Sequence, residues 1–143
     1  MRSTDPPVIV EQEFNVPIDQ LWRALTEPEQ MRQWFFAEMS DFQHCLGFET
    51  RFTIEHDDRE YVHHWEITEV VENEKIVSIW QYKDCPGKGL VVWELSPSAS
   101  GSRLKLTNEI LESFPQDDPA FERENCEGGW NYFIKEQLPA HLN

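Results

Sequence analysis

The sequence predicts an α+β domain in which consecutive antiparallel strands are followed by one long C-terminal helix. Three observations carry that expectation. Apolar residues alternate with polar ones from about residue 38 to residue 111, the period of strands. Near both ends they recur instead at spacings of three and four, the period of helices. Polar clusters containing Gly or Pro punctuate the alternating part at short intervals, as turns between neighbouring strands do.

Taken in order, Val8-Ile9-Val10-Glu11-Gln12-Glu13-Phe14 follows Pro6-Pro7 and starts apolar before alternating, as a short strand would. Pro17 suits a first helical turn, and Ile18, Leu21, Trp22 and Leu25 make the apolar stripe of a short helix. Thr26-Glu27-Pro28-Glu29 reads as a capping box, with Thr26 as cap and Glu29 reaching back. It would start a second short helix with Met31, Trp34 and Phe35 on one side.

Phe48, Thr50, Phe52 and Ile54 then share one face of a strand, and His56-Asp57-Asp58-Arg59 supplies a turn. Tyr61, His63, Trp65 and Ile67 share a face of the next. A further strand runs near Lys75 to Tyr82, and Cys85-Pro86-Gly87-Lys88-Gly89 is expected to be a loop. Val91, Trp93 and Leu95 precede a turn at Ser96-Pro97-Ser98-Ala99-Ser100-Gly101, and Leu104, Leu106 and Asn108 close the series.

After Pro119 a helix is expected to about Leu138, striped by Trp130, Phe133, Ile134 and Leu138. Asp117, Asp118, Glu122 and Glu124 would be a solvated helix start, favoured by the helix dipole. Gly128-Gly129 costs roughly 1 kcal/mol per glycine relative to alanine in a helix. That cost predicts a close approach of helix to sheet at this point.

The bulk properties bound the function. With 143 residues the chain is read as a single domain, 1–143, large enough for one core without staples. Twenty-seven acidic residues against 12 basic ones give a net charge of −15. Nucleic-acid binding relies on Lys and Arg neutralising phosphates, so this balance argues against it, and against an anionic membrane surface. No leader-like apolar segment opens the sequence, no run could span a bilayer, and the three cysteines are widely spaced. A cytoplasmic protein with reduced thiols is the expectation.

The order of these elements resembles the helix-grip fold of the START-like (SRPBCC) superfamily. In that fold a curved antiparallel sheet wraps a long C-terminal helix. Three stretches are similar to the branch related to the activator of the heat-shock-protein-90 ATPase. They are Leu21 to Phe35 with its Trp-Arg-Ala-Leu-Thr-Glu-Pro-Glu core, the strand around Trp80 followed by Val91-Val92-Trp93-Glu94-Leu95, and Gly129-Trp130 with Phe133, Ile134 and Leu138 behind it. The chain departs from the branch at Cys45-Leu46-Gly47, where members often carry a glycine pair. The resemblance implies a pocket rather than a reaction: the superfamily includes lipid and hormone binders, cyclases and drug-sequestering proteins, and the branch shares no fixed catalytic residues. It also suggests a homodimer, by analogy only. Fold alone does not give function.

Six Trp and nine Phe favour an aromatic-lined cavity over a merely bulky core. Phe52, Trp65, Trp80 and Trp93 fall on the inferred concave face, with Trp130 and Phe133 opposite on the helix and Trp34 and Phe35 at a mouth. Ligand pockets are mostly apolar with a few placed polar groups, which singles out Thr50, His63, Ser78 and Asn108 on the same face. His63 would be the acid or base of any reaction. Metal binding has little support: His63-His64 and His44-Cys45 are adjacent pairs that point to opposite faces of a strand. No nucleophile elbow or phosphate loop exists, so no cofactor is expected. A binding module for a small apolar or aromatic molecule therefore ranks first, ahead of a cyclase- or hydrolase-like enzyme and a co-chaperone-like interaction domain.

Overall fold

The alternating segments become six antiparallel strands in the computed structural model, which describes residues 1–39 and 41–142. Strand β1 (Val8–Phe14) is followed by two short helices, α1 (Ile18–Thr26) and α2 (Pro28–Trp34). Strands β2 (Glu49–His56), β3 (Arg59–Val71), β4 (Lys75–Tyr82), β5 (Lys88–Ser98) and β6 (Gly101–Glu112) come next. One turn of 3-10 helix, Pro119–Phe121, leads to α3 (Arg123–Asn131), a π-helical stretch at Tyr132–Gln137 and α4 (Leu138–Leu142). Together the last three elements form the C-terminal helix.

The sheet order is β1-β6-β5-β4-β3-β2. Five strands form a meander, and β1 returns to its last strand with Val8 opposite Asn108 and Phe14 opposite Ser102. The registers set Thr50 beside Trp65, Trp65 beside Trp80, and Val91 beside Asn108. Because side chains alternate across a pleated strand, one face carries the buried set: Phe52, Trp65, Ile76, Val91, Trp93, Leu104 and Leu106 among them. Ile134 and Leu138 of the C-terminal helix are fully buried. This is the helix-grip arrangement.

Turn chemistry explains the tight connections. Asp57 and Asp58 both take positive φ, 51° and 62°, as the two central residues of a short hairpin must. At Gly101 φ is 143°, and a Cβ there would lie 2.5 Å from the Val16 carbonyl oxygen. The turn expected over residues 96–101 is narrower than the sequence implied, because Ser96, Pro97 and Ser98 still pair with Arg103, Ser102 and Gly101. Likewise Lys88 and Gly89 belong to β5 rather than to a loop.

Four local expectations are corrected. Pro17 is the N-cap of α1, not a residue of its first turn. There is no capping box before α2: Glu27 occupies the cap position without a side-chain hydrogen bond, and Thr26 donates back to the Trp22 carbonyl at 2.8 Å. Asp118 is more than a solvated helix start. It accepts from the Ala120 amide at 3.0 Å and from the Tyr61 hydroxyl at 3.3 Å, and pairs with Arg59, tying the approach to the helix onto β3. Gly128 and Gly129 mark no close approach to the sheet, since a Cβ at either would meet nothing within 4 Å.

The helix also runs past Leu138. Pro139 lacks an amide hydrogen and its ring crowds the carbonyl four residues back. The wider π turn stands immediately before it, with the Leu138 amide donating five residues back to Phe133. No helix among the described residues is long and apolar enough to cross a membrane.

Candidate ligand cavity

A cavity of about 180 Å³ lies between the sheet and the C-terminal helix. Strand β4 brings Trp80 and Tyr82 to it, and β6 brings Asn108 and Ile110. Cys126, Gly129, Trp130 and Phe133 face it from the helix, and Phe35 and Phe36 from the segment after α2. Period two places Ser78, Trp80 and Tyr82 on one face of β4. On the helix Gly129 leaves the space that any other residue would enter. The aromatic wall is continuous: Trp80 lies 5.1 Å from Trp130, and Phe35 lies 4.8 Å from Phe133, ring centre to ring centre. Distances of this order suit edge-to-face and tilted aromatic contacts.

Asn108 is the oriented polar group of this cavity. Its Oδ1 accepts from Trp130 Nε1 at 3.0 Å and from the Cys126 thiol at 3.4 Å. An indole N–H can only donate, so the amide oxygen must face it. The amide Nδ2 is thereby turned away from Trp130. It has no hydrogen-bond partner among the described residues and passes close to Gly89, whose hypothetical Cβ would lie 3.4 Å from it. A glycine at this position keeps the approach to the amide clear.

No Asp, Glu, Lys or Arg among the described residues lines the cavity. Burial pushes the Cys126 thiol up to about 11, so it is neutral at pH 7. Burial also raises the Tyr82 phenol above its usual range. Its hydroxyl has no hydrogen-bond partner among the described residues. The site is therefore an aromatic-walled space with a donating amide, a free phenol and no charged side chain, and Met1, whose terminal ammonium donates to the Phe121 carbonyl at 2.7 Å, also lines it.

The residues singled out from the sequence separate into three groups. Trp80, Asn108, Trp130 and Phe133 line the cavity. His63 lies outside it, lining an adjoining cavity of about 280 Å³ together with Tyr61 and Ile54. Its Nδ1 is 3.1 Å from the Tyr61 carbonyl oxygen, and its ring stacks on Phe52 at 4.9 Å. Burial lowers its pKa to about 4.

The others are packing residues. Trp34 is only 1% exposed and donates to the Ala24 carbonyl at 2.8 Å, so it joins α2 to α1 and forms no mouth. Thr50 donates to the Asp41 carbonyl. Trp34, Trp65 and Trp93 border a void of about 20 Å³ inside the core, too small for an organic ligand. Trp65 stacks on Trp80 at 4.3 Å and also packs on Phe35 and Phe36, so it backs the cavity wall without lining it. Ser78 borders the same void and accepts from Trp80 Nε1 at 3.0 Å.

Phe35, expected at a mouth with Trp34, lines the cavity, whereas the lining residues Tyr82, Phe36, Gly129 and Cys126 were not expected there. Tyr82 could have been found, since it continues the period-two set of Ser78 and Trp80. Phe36 could not, because the chain leaves helical geometry after Trp34 and no period applies there.

Comparison with known proteins agrees with this architecture. Residues 15–143 match the family model described as Activator of Hsp90 ATPase homolog 1-like protein. No curated protein sequence matches the chain. Solved structures of similar fold include protein CV1439 from Chromobacterium violaceum, at 20% identity and a TM-score of 0.78 over 95% of this chain and 96% of that one. Protein MLL2253 from Mesorhizobium loti is 27% identical, with a TM-score of 0.73 over 96% of each chain. DynU16, a protein of the dynemicin biosynthetic locus, is 24% identical with a TM-score of 0.75; the match covers 96% of this chain and 47% of DynU16.

Proposed function

We propose, from the premise that this chain belongs to the Activator of Hsp90 ATPase homolog 1-like protein family, that it binds a small neutral aromatic molecule between its sheet and its C-terminal helix. Domains of the wider superfamily commonly bind hydrophobic ligands. The observation that carries the reading here is Asn108: Trp130 fixes its oxygen, and its amide donor stands unpaired at an otherwise aromatic wall. Such an arrangement suits a ligand with an acceptor oxygen on or next to its ring, for example an aryl ketone.

Size and charge narrow the class. At about 180 Å³ the cavity is smaller than the 300–1,000 Å³ usual for drug-sized ligands. It is close to the roughly 150 Å³ apolar cavity that holds benzene in another protein. One ring fits, whereas a lipid-like chain does not. A net charge of −15 disfavours an anion. Burying about 150 Å² of ring surface contributes about 4 kcal/mol, which places an unsubstituted ring near a Kd of 1 mM. A hydrogen bond from Asn108 adds about 1 kcal/mol.

Calorimetry with acetophenone and toluene tests this. Acetophenone should bind about five- to tenfold more tightly than toluene, and Asn108→Leu should remove that preference. Gly129→Leu, which fills the cavity from the helix, should abolish both. Unchanged binding in Gly129→Leu would place the ligand elsewhere and defeat the reading.

A further inference from the structure

The adjoining cavity of about 280 Å³ that His63 lines shares Tyr82, Ala120, Phe121 and Asn125 with the first. The partition between them is a pair of side chains, Tyr82 and Phe121, with ring centres 5.0 Å apart. Neither ring is locked by a polar contact: a phenylalanine has none to make, and the Tyr82 hydroxyl has no partner among the described residues. On its outer side the second cavity is bounded by Tyr61, whose hydroxyl is held by Asp118. That bond fixes the wall, whereas the partition is held by ring packing alone, Phe121 against Phe114 at 5.2 Å and Tyr82 against His63 at 4.6 Å.

His63 gives this space its chemistry. A backbone carbonyl only accepts, so the 3.1 Å contact with Tyr61 puts the ring proton on Nδ1 and leaves a lone pair on Nε2. Nε2 has no partner among the described residues, yet it is not sealed off, since Trp65 Nε1 is the buried unpaired side-chain polar atom among them. The groups facing His63 are aromatic and uncharged: Phe52 from β2, Tyr82 from β4 and Phe36 from the segment after α2. His56, at the end of β2, is the other titratable histidine on this cavity. Burial keeps the His63 ring neutral at pH 7, and so an acceptor.

We propose that the two cavities are compartments of one ligand site, and that the second takes a hydrogen-bond-donating group of the ligand, a hydroxyl or N–H, on Nε2 of His63. This rests on the reading of the first cavity as a ligand site, and extends the ligand class to two-ring molecules with an acceptor or bare ring at one end and a donor at the other. His63 is here a specificity residue rather than an acid or base.

The test compares 4-phenylphenol with 4-methylbiphenyl, which differ by a hydroxyl in place of a methyl of similar size. The wild-type protein should bind 4-phenylphenol about five- to tenfold more tightly, and His63→Phe, which keeps a ring against Phe52, should remove the preference. A second readout needs no variant: the Nε2 nitrogen resonance of His63 in the wild-type protein should move on adding 4-phenylphenol and stay in place with 4-methylbiphenyl. Equal affinities with a stationary resonance overturn the second compartment. So does failure of both biphenyls where toluene still binds, and in either case the first cavity keeps its function. If toluene and acetophenone fail as well, both readings fall.

Discussion

His63 shows what it costs to bury a titratable ring without a charged partner. Its pKa is lowered to about 4 by burial, with the Tyr61 carbonyl opposing, whereas in the unfolded chain it titrates near 6.5. Between those values the unfolded state binds more protons, so stability falls as pH drops from about 6.5 to about 4. Above pH 7 the ring is neutral in both states and contributes no slope. The loss approaches about 3 kcal/mol, and by pH 4.5 most of it has occurred. Denaturant unfolding at pH 7.0 and 4.5 should therefore show a difference about 2 to 3 kcal/mol smaller in His63→Phe than in wild type. Identical pH dependence in both would mean that the ring is protonated, or solvated, in the folded protein. The sequence did show that His63 sits on the buried face, because alternation with Trp65 and Ile67 requires it. It did not show which space the ring borders, which depends on how β3, β4 and the loop after β6 meet. Trp34 illustrates the opposite limit: helical spacing marks it as apolar-facing, but only the bond to Ala24 distinguishes a helix-to-helix contact from a cavity mouth.

At the scale of the element, the C-terminal helix carries two irregularities with separate causes. Pro139 accounts for the π turn, which sets Phe133 against the cavity while Ile134 stays in the core. The glycine pair has another role. The helix-propensity penalty was legible in the sequence, but penalties do not say what fills the vacated space. A close approach to the sheet and an open cavity look identical at that level, and the structure decides for the cavity at Gly129. Gly129→Ala should then stabilise the protein by about 0.5 to 1 kcal/mol, since helical backbone entropy improves and the new Cβ meets nothing. A raised denaturation midpoint at unchanged denaturant slope would show this. A loss of stability would instead mean that the helix does approach the sheet. Read with the Gly129→Leu experiment, a gain in stability from one methyl and a loss of binding from a larger side chain would show that this glycine serves the cavity and not the fold.

For the whole molecule, the fold was legible because each strand announces itself locally: period-two runs, bounded by Asp-Asp, Pro-Gly or Ser-Gly turns, give five sequential strands of the meander. The pairing of β1 with β6 was not legible, as it joins residues 8 and 108 and no local pattern encodes so distant a contact. That pairing matters for function, because it fixes the strand that carries Asn108 and so positions one wall of the site. The proposed function puts an aromatic ligand between β4, β6 and the C-terminal helix. The most direct measurement is an NMR titration of the protein with acetophenone, following its six tryptophan indole N–H signals. Saturable shifts are expected for Trp130 and Trp80, the two tryptophans that line the cavity. Trp22 and Trp34, which do not line it, should remain in place. Saturable binding that moves Trp34 and leaves Trp130 untouched, or no binding at millimolar acetophenone, would contradict it.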